Sequence, residues 1–367
     1  MPLSLVMFCA SHVSDEARLD MMEQMLNSWA AQFLPVELWI SVSCANDALK
    51  DKVKTLLTNR GPGLNAFIRR SPYKQFEHLQ WLTSKYIERF SGRSHADAWV
   101  CFTDDDDTFA IHRTSVFGQL IRAPENDQHA DDAVPFVCIN GPPLNAPLPR
   151  SPEQTLLIKA QNVHGNKLVK RGSGQEYFQY CVRLSLLEYF FKHTTEVLWQ
   201  YQFADLLFQR FLLRGVHIDK PDNWWPLQAD EDASCEYVYW DRHALDQARN
   251  PNPNDEGWIP LMDYLRLSMA SSVDFNREDY WRWLKGSYKV TWAAGKLSRD
   301  NLKLKAQLEL PIVQEMIRLP SYVHWRIQDL QERGQPEKAL RLQKQLDAFV
   351  AKANNTPVAF QQGERYV

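Results

Sequence analysis

Four consecutive aspartates, Asp104 to Asp107, close an apolar run, Ala98-Trp99-Val100-Cys101-Phe102-Thr103. The run predicts a buried strand, so the carboxylates stand where that strand ends. Like charges packed this tightly repel, and no cluster of lysines or arginines follows at once to neutralise them. A divalent cation would do so, and hard cations such as Mg²⁺ or Mn²⁺ choose carboxylate oxygens. A strand end that delivers carboxylates to a metal, which then holds phosphates, suits a nucleoside diphosphate. An acidic surface turn or a Ca²⁺ loop would use the same residue types. The position at the end of a hydrophobic strand, instead of within a polar tract, favours metal and diphosphate.

The elements before this cluster alternate. Leu3–Ala10 reads as a buried strand, and Leu19, Met22, Leu26, Trp29 and Phe33 then recur at helical spacing. Val36–Ser43 is a second strand, Ala48–Asn59 a helix ended by Gly61-Pro62-Gly63, and Leu64–Ile68 a third strand. Phe76, Leu79, Thr83, Tyr86, Ile87 and Phe90 mark a third helix with one buried face. The aspartates end the fourth strand, and Val134–Ile139 reads as a fifth. The succession predicts an α/β fold, a Rossmann-like, mostly parallel sheet flanked by helices. Ligands of such sheets bind at the carboxyl ends of the strands. Ser11-His12, Ser43, Arg69-Arg70-Ser71 and the aspartates all fall there. The first strand is followed by Ala10-Ser11-His12-Val13-Ser14, neither a dinucleotide fingerprint nor a P-loop. Phosphates held here need something other than a glycine-rich nest.

Later segments are less regular. Gly141–Pro152 is a proline-rich loop, and Tyr177–Leu184 is strongly apolar. Glu196–Arg214 predicts a helix with Phe203, Leu206, Leu207, Phe211 and Leu212 inward and Asp205, Gln202 and Gln209 on its polar side. Gly215 is expected to stop that helix, and Val216-His217-Ile218 to resume a strand-like pattern. From about residue 271 mixed charges and helical periodicity dominate, with Pro336 placed to begin a final helix. Two regions are therefore expected: a catalytic domain over 1–270 and a helical appendage over 271–367.

The 367 residues are 44% hydrophobic and 24% charged, ordinary for a globular protein with a core. Aromatics reach 12%, with 13 Trp, enough to furnish a cleft as well as a core. The net charge of −3 gives no general pull toward nucleic acid or anionic membrane. Six scattered cysteines without CxxC spacing read as reduced core residues of a cytoplasmic protein. The N-terminal apolar run is too short for a signal peptide or a span.

With these features the chain resembles nucleotide-sugar glycosyltransferases of the GT-A fold, the large inverting group with a DxD-type metal motif. The resemblance covers roughly residues 1–245. It rests on the opening alternation, on Phe102-Thr103-Asp104-Asp105-Asp106-Asp107, and on Asp205-Leu206-Leu207-Phe208-Gln209-Arg210-Phe211-Leu212-Leu213-Arg214-Gly215. It implies transfer of a sugar from a nucleoside-diphosphate-sugar donor to a glycan or other hydroxyl acceptor, with Mn²⁺ or Mg²⁺ as cofactor. Asp104 would touch ribose or metal and Asp106 would ligate the metal, with Asp105 and Asp107 as the alternative register. Ser11, His12, Gln75 and His78 fall where the family binds base and ribose. Asp205 corresponds to the catalytic base, although the family usually carries Glu-Asp where this chain has Ala204-Asp205. His217 or His243 would be placed to add a metal ligand. Trp224 and Trp225, or the stretch Tyr237–Trp240, could stack on an acceptor sugar.

Two other functions fit parts of the sequence. A nucleotidyltransferase would want a glycine-rich, lysine-bearing loop after the first strand, and a non-catalytic scaffold would keep the cleft without turnover. Basic residues in Lys285–Lys305, interleaved with Trp281, Trp283, Tyr288 and Trp292, leave room for a nucleic-acid or charged-glycan acceptor. Acidic residues mixed among them favour a solvated helical face.

Overall fold

A computed structural model describes residues 4–58, 60–90, 98–109, 111, 113–122, 136–138, 156–160, 177–201, 204–219, 235–239, 311–312, 315, 319 and 321–355. The chain divides into two compact units, Met1–Gln209 with Asp222–Asn250, and Arg210–Pro221 with Pro251–Val367. The boundary expected near residue 271 lies outside the described residues.

The first unit is built on a six-stranded sheet in the order β3-β2-β1-β4-β7-β5. Its strands are β1 (Ser4–Val13), β2 (Glu37–Cys44), β3 (Leu64–Ile68), β4 (Ala98–Asp104), β5 (Phe136–Cys138) and β7 (Tyr180–Arg183). β1 pairs in parallel with β2 and β4, and β2 with β3. β7 runs antiparallel between β4 and β5. The mostly parallel, helix-flanked sheet is the α/β fold the sequence predicts. Leu5–Ala10 and Ala98–Thr103 are buried without alternation, as strands covered on both faces must be. A separate antiparallel pair joins β6 (Leu156–Ala160) to β8 (Cys235–Tyr239).

Helices α1 (Glu16–Ala30), α2 (Asp47–Leu57), α3 (Gln75–Arg89) and α4 (Arg113–Arg122) follow β1 to β4 in turn. Asp15 caps α1 by accepting from the Arg18 amide, and Asn46 caps α2 by accepting from the Leu49 amide. After β7 come α5 (Leu184–Lys192) and the single turn α6 (Glu196–Trp199). An aromatic core of Phe76, Phe102, Tyr177, Phe190 and Phe208 lies under the end of β4, with ring centroids 5.0–6.1 Å apart. Much of the aromatic surplus is thus core packing. Cys9, Cys101 and Cys181 are buried free thiols, and Cys44 is a half-buried one. Among the described residues no helix is long and apolar enough to cross a membrane.

Three expectations are corrected. β1 runs on to Val13, so Ser11 and His12 are strand residues, not loop residues. The predicted helix over 196–214 is two elements, α6 and then α7 (Ala204–Asp219), and Gln209 is buried instead of facing water. Gly215 does not stop α7, which continues through Val216-His217-Ile218 to Asp219. The glycine serves close packing: a Cβ there would meet the ring of Tyr322 at 2.2 Å. In the second unit, α8 (Tyr322–Glu332) and α9 (Pro336–Asn355) form a hairpin through Gly334, whose φ of 73° is left-handed. Pro336 opens the last helix, as its ring geometry predicts.

Gly215→Ala separates the two roles a helical glycine can have. Alanine gains about 1 kcal/mol of helix propensity, but Tyr322 is fully buried and its ring must shift to admit a methyl group. Overpacking of this kind costs about 1–3 kcal/mol. Denaturant unfolding should show a net loss of stability, and a variant as stable as the parent would remove the packing explanation.

Candidate functional site

Strand register assembles the site. Ala10 lies beside Asp104, and His12 beside Ser43, so the ends of β4, β1 and β2 share one edge. Beyond Asp104 the chain turns under that edge, and Asp105, Asp106 and Asp107 are 0%, 2% and 4% exposed. Buried carboxylates demand partners. Asp104 Oδ1 accepts from the Gln75 amide at 2.9 Å and from the Tyr177 hydroxyl at 2.6 Å. Asp105 accepts from Ser11 Oγ and from Arg18 Nη2, each at 2.5 Å, and Asp106 accepts from Arg18 Nη1 at 2.5 Å.

Arg18, in the first turn of α1, therefore bridges two of the four aspartates from 87 and 88 residues away in sequence. Burial alone would weaken its hold on the proton, but the charges of Asp105 and Asp106 outweigh that and keep the guanidinium above its ordinary value. Sequence reasoning missed this residue. The local signal was an unfavourable one: a cation in the first turn of a helix opposes the macrodipole, and so asks for a stronger partner elsewhere.

A second network lies beneath β1 and β2. His12 Nδ1 meets Ser43 Oγ at 2.8 Å, Ser43 Oγ meets His78 Nε2 at 3.1 Å, and His78 Nδ1 meets Ser41 Oγ at 2.7 Å. Ser43 has one hydrogen, so at least one of the two rings donates to it. His78 is pushed down to about 3 by its burial, helped by Arg69 and His12, and stays neutral. Burial, and then the charge of Asp104, raises Tyr177 well above its usual value and keeps it a donor. The Cys9 thiol is raised in the same way by burial and by Asp105, which leaves it inert.

Over this edge opens a cleft of about 270 Å³. Ser11, His12, Gln75, His78 and Asp104, all singled out from sequence, line it together with Arg18, Lys74, Tyr73 and Tyr201. At its rim Arg69 stacks over Tyr73 at 3.6 Å and over Trp81 at 5.1 Å. Asp105 and Asp106 lie behind Arg18 and are not among the lining residues. Asp205 is half-buried in the first turn of α7 and is not among them either. Trp224, Trp225, Trp240 and His243 lie outside the described residues, as do the side chains of His217 and Tyr237–Tyr239.

The carboxylates as arranged do not fit a divalent cation. Two are committed to Arg18, one oxygen of Asp104 already takes two donors, and among the described residues no three His, Cys, Asp or Glu gather to hold a metal.

No family model matches the chain, and no curated protein matches it. Among solved structures it is similar to S. aureus TarS residues 1–349 in complex with UDP-GlcNAc, at 11% identity and a TM-score of 0.41 over 95% of this chain and 91% of that one. The same protein in complex with UDP gives 13% and 0.38 over 99% and 93%. A longer TarS structure is matched over 55% of this chain and 33% of that chain, at 12% identity and a TM-score of 0.35, so the chain spans a third of that relative's length. A 4-diphosphocytidyl-2C-methyl-D-erythritol synthase follows at 12% and 0.28, over 52% and 79%. Likeness at these scores carries no argument about activity, which has to come from the cleft itself.

His78 gives the site a pH signature. Its folded value of about 3 lies below the unfolded 6.5, so between these limits the unfolded chain binds the extra proton. Stability then falls as pH drops through that window, by at most about 1.4 kcal/mol per unit. From pH 6.5 to 4.5 the wild type should lose about 2 kcal/mol more than His78→Gln in urea unfolding. Parallel profiles would show that His78 charges freely in the folded state.

Proposed function

We propose that this chain is a nucleotide-sugar glycosyltransferase, moving a sugar from a nucleoside-diphosphate donor to an acceptor hydroxyl. One observation carries the proposal: the cleft sits at the carboxyl ends of parallel strands, where α/β sheets bind ligands, and its lining is chemically divided. Arg18 and Lys74 supply positive charge, Asp104 an oriented carboxylate, and His12, Ser11 and His78 further hydrogen-bonding groups. A nucleoside diphosphate has matching parts. Its phosphates suit Arg18 and Lys74, its ribose hydroxyls suit Asp104, and its base suits the His12 side beside Tyr73.

In this scheme Arg18 and Lys74 stabilise charge that develops on the departing diphosphate. Gln75 and Tyr177 hold Asp104 in one orientation, which limits the donor to one pose. Asp205, at the start of α7, is assigned the general base that takes the acceptor proton, and attack opposite the leaving group inverts the anomeric centre. No step is routed through a metal. The nucleotidyltransferase alternative gains nothing from the turn after β1, where Ser14 and the cap residue Asp15 lead straight into α1 without a glycine.

Thermal melting of the full chain against UDP, CDP, GDP and ADP tests donor binding. Saturation at a hundredfold excess over Kd adds about 2.7 kcal/mol of stability, so one base should stand out. Asp104→Asn is the matching variant, because Asn still accepts from Tyr177 and Gln75 whereas Ala would leave a buried hydroxyl unpaired. It should keep the fold and lose most of the shift. Absence of a shift with any of the four nucleotides would sink the assignment.

Asp205→Asn addresses the transfer step. General-base catalysis contributes ~10²–10⁴-fold, so turnover should fall by roughly that factor while donor affinity survives. A variant within a few-fold of wild type, or product with the donor's anomeric configuration by NMR, would exclude Asp205 from this role.

A further inference from the structure

We propose that Arg18 is the resident cation of the acid cluster, so that this cleft binds its nucleoside diphosphate without a divalent metal. The inference rests on the nucleotide reading for the identity of the ligand, but its metal arm stands apart from it. The guanidinium spans Asp105 Oδ1 and Asp106 Oδ2 at 2.5 Å each, and those side chains are 0% and 3% exposed. A hard cation would need the same oxygens at ~2.0–2.1 Å, and would have to share them with Arg18 or expel it.

Sharing places two cations against one buried pair of carboxylates, where the low dielectric magnifies their repulsion. Expulsion is no easier. Moving the head would break both charge-assisted contacts to buried carboxylates, while the Asp15 cap holds the Arg18 backbone in the first turn of α1. The other oxygen of Asp105 is taken by Ser11. Asp104, the aspartate that lines the cleft, spends Oδ1 on Gln75 and Tyr177.

The cleft lining meanwhile suits an anion directly. Arg18 and Lys74 line it against Asp104 alone, with Asp105 and Asp106 held behind the guanidinium. Arg18 keeps its side chain 18% exposed, so one edge faces the ligand while two nitrogens hold the carboxylates. A planar guanidinium can serve both sides at once, with its five donors in a fixed fork. An ammonium could not bridge two carboxylates in this way and still offer a planar edge.

The test uses metal-stripped full chain in two measurements. Mn²⁺ is titrated in and the free aqueous ion followed by EPR, and each nucleoside diphosphate is titrated calorimetrically in EDTA and in Mn²⁺. Wild type should leave Mn²⁺ free up to millimolar concentration and bind its preferred diphosphate within about threefold the same in either buffer. Arg18→Met should bind Mn²⁺ about tenfold or more tightly than wild type, and lose about tenfold or more in diphosphate affinity in EDTA. Arg18→Lys keeps the charge and should not gain the metal site. Stoichiometric micromolar Mn²⁺ binding by wild type, or diphosphate binding abolished by EDTA, would overturn the proposal. If Arg18→Met does not fold, the wild-type titrations still decide. If no diphosphate binds in either buffer, the nucleotide reading fails while the Mn²⁺ titration still judges Arg18.

Discussion

Charge balance at the end of β4 constrains everything around it. Taking carboxylates out of water costs several kcal/mol each unless partners replace the lost hydration. Asp104 ends the strand and the three aspartates beyond it are nearly fully buried, so the fold has to bring donors to the cluster. It does so from four separate places: Ser11 at the end of β1, Arg18 in α1, Gln75 at the start of α3, and Tyr177 just before β7. Three of these residues, Ser11, Arg18 and Gln75, also line the cleft.

Arg113 carries the same logic into the core. Its side chain is fully buried, donates through Nη2 to the carbonyls of Phe102 and Phe178 at 2.5 and 2.6 Å, and stacks against Phe109 and Phe117. The two carbonyls belong to β4 and to the 3₁₀ turn Tyr177–Gln179. One guanidinium thus ties the strand that ends in aspartates to the turn that presents Tyr177 to Asp104. A cation under the acidic edge also suits the sign of the potential there. Arg18 and Arg113 hold the same strand end, one from the cleft side and one from below.

Local periodicity was enough to read the first three strands and their helices, because β1 and β2 bury continuous apolar runs, the helices bury one-sided stripes, and β3 is a short run set off by the glycines before it. The strand edge at which ligand groups collect was legible for the same reason, and Ser11, His12, Gln75, His78 and Asp104 do line one cleft. What local pattern could not supply was pairing at long range. β7 inserts antiparallel between β4 and β5, a choice made by partners some eighty residues upstream in the sheet. Arg18 is the same failure in electrostatic form: Asp15 to Arg18 reads as a helix start, while its partners are 87 and 88 residues on. Gly215 failed differently. Its cause is the ring of Tyr322, and a glycine that makes room looks the same in sequence as one that ends a helix.

The two networks of the site have opposite electrical characters, and that difference is what gives the cleft a direction. On the Asp104 side, one guanidinium is set between two buried carboxylates, and Arg18 is held firmly protonated by its neighbours. On the other side His12 meets the buried group Ser43–His78–Ser41, which is uncharged because desolvation keeps His78 neutral. Neutral hydrogen-bonding groups read shape and donor–acceptor pattern, whereas fixed charges supply strength without such discrimination. A hydroxyl at each ring nitrogen fixes the orientation of His78, and the Ser43 contact links it to His12 at the cleft surface. A ligand that is anionic at one end and a neutral heteroaromatic at the other has a single way to lie across both.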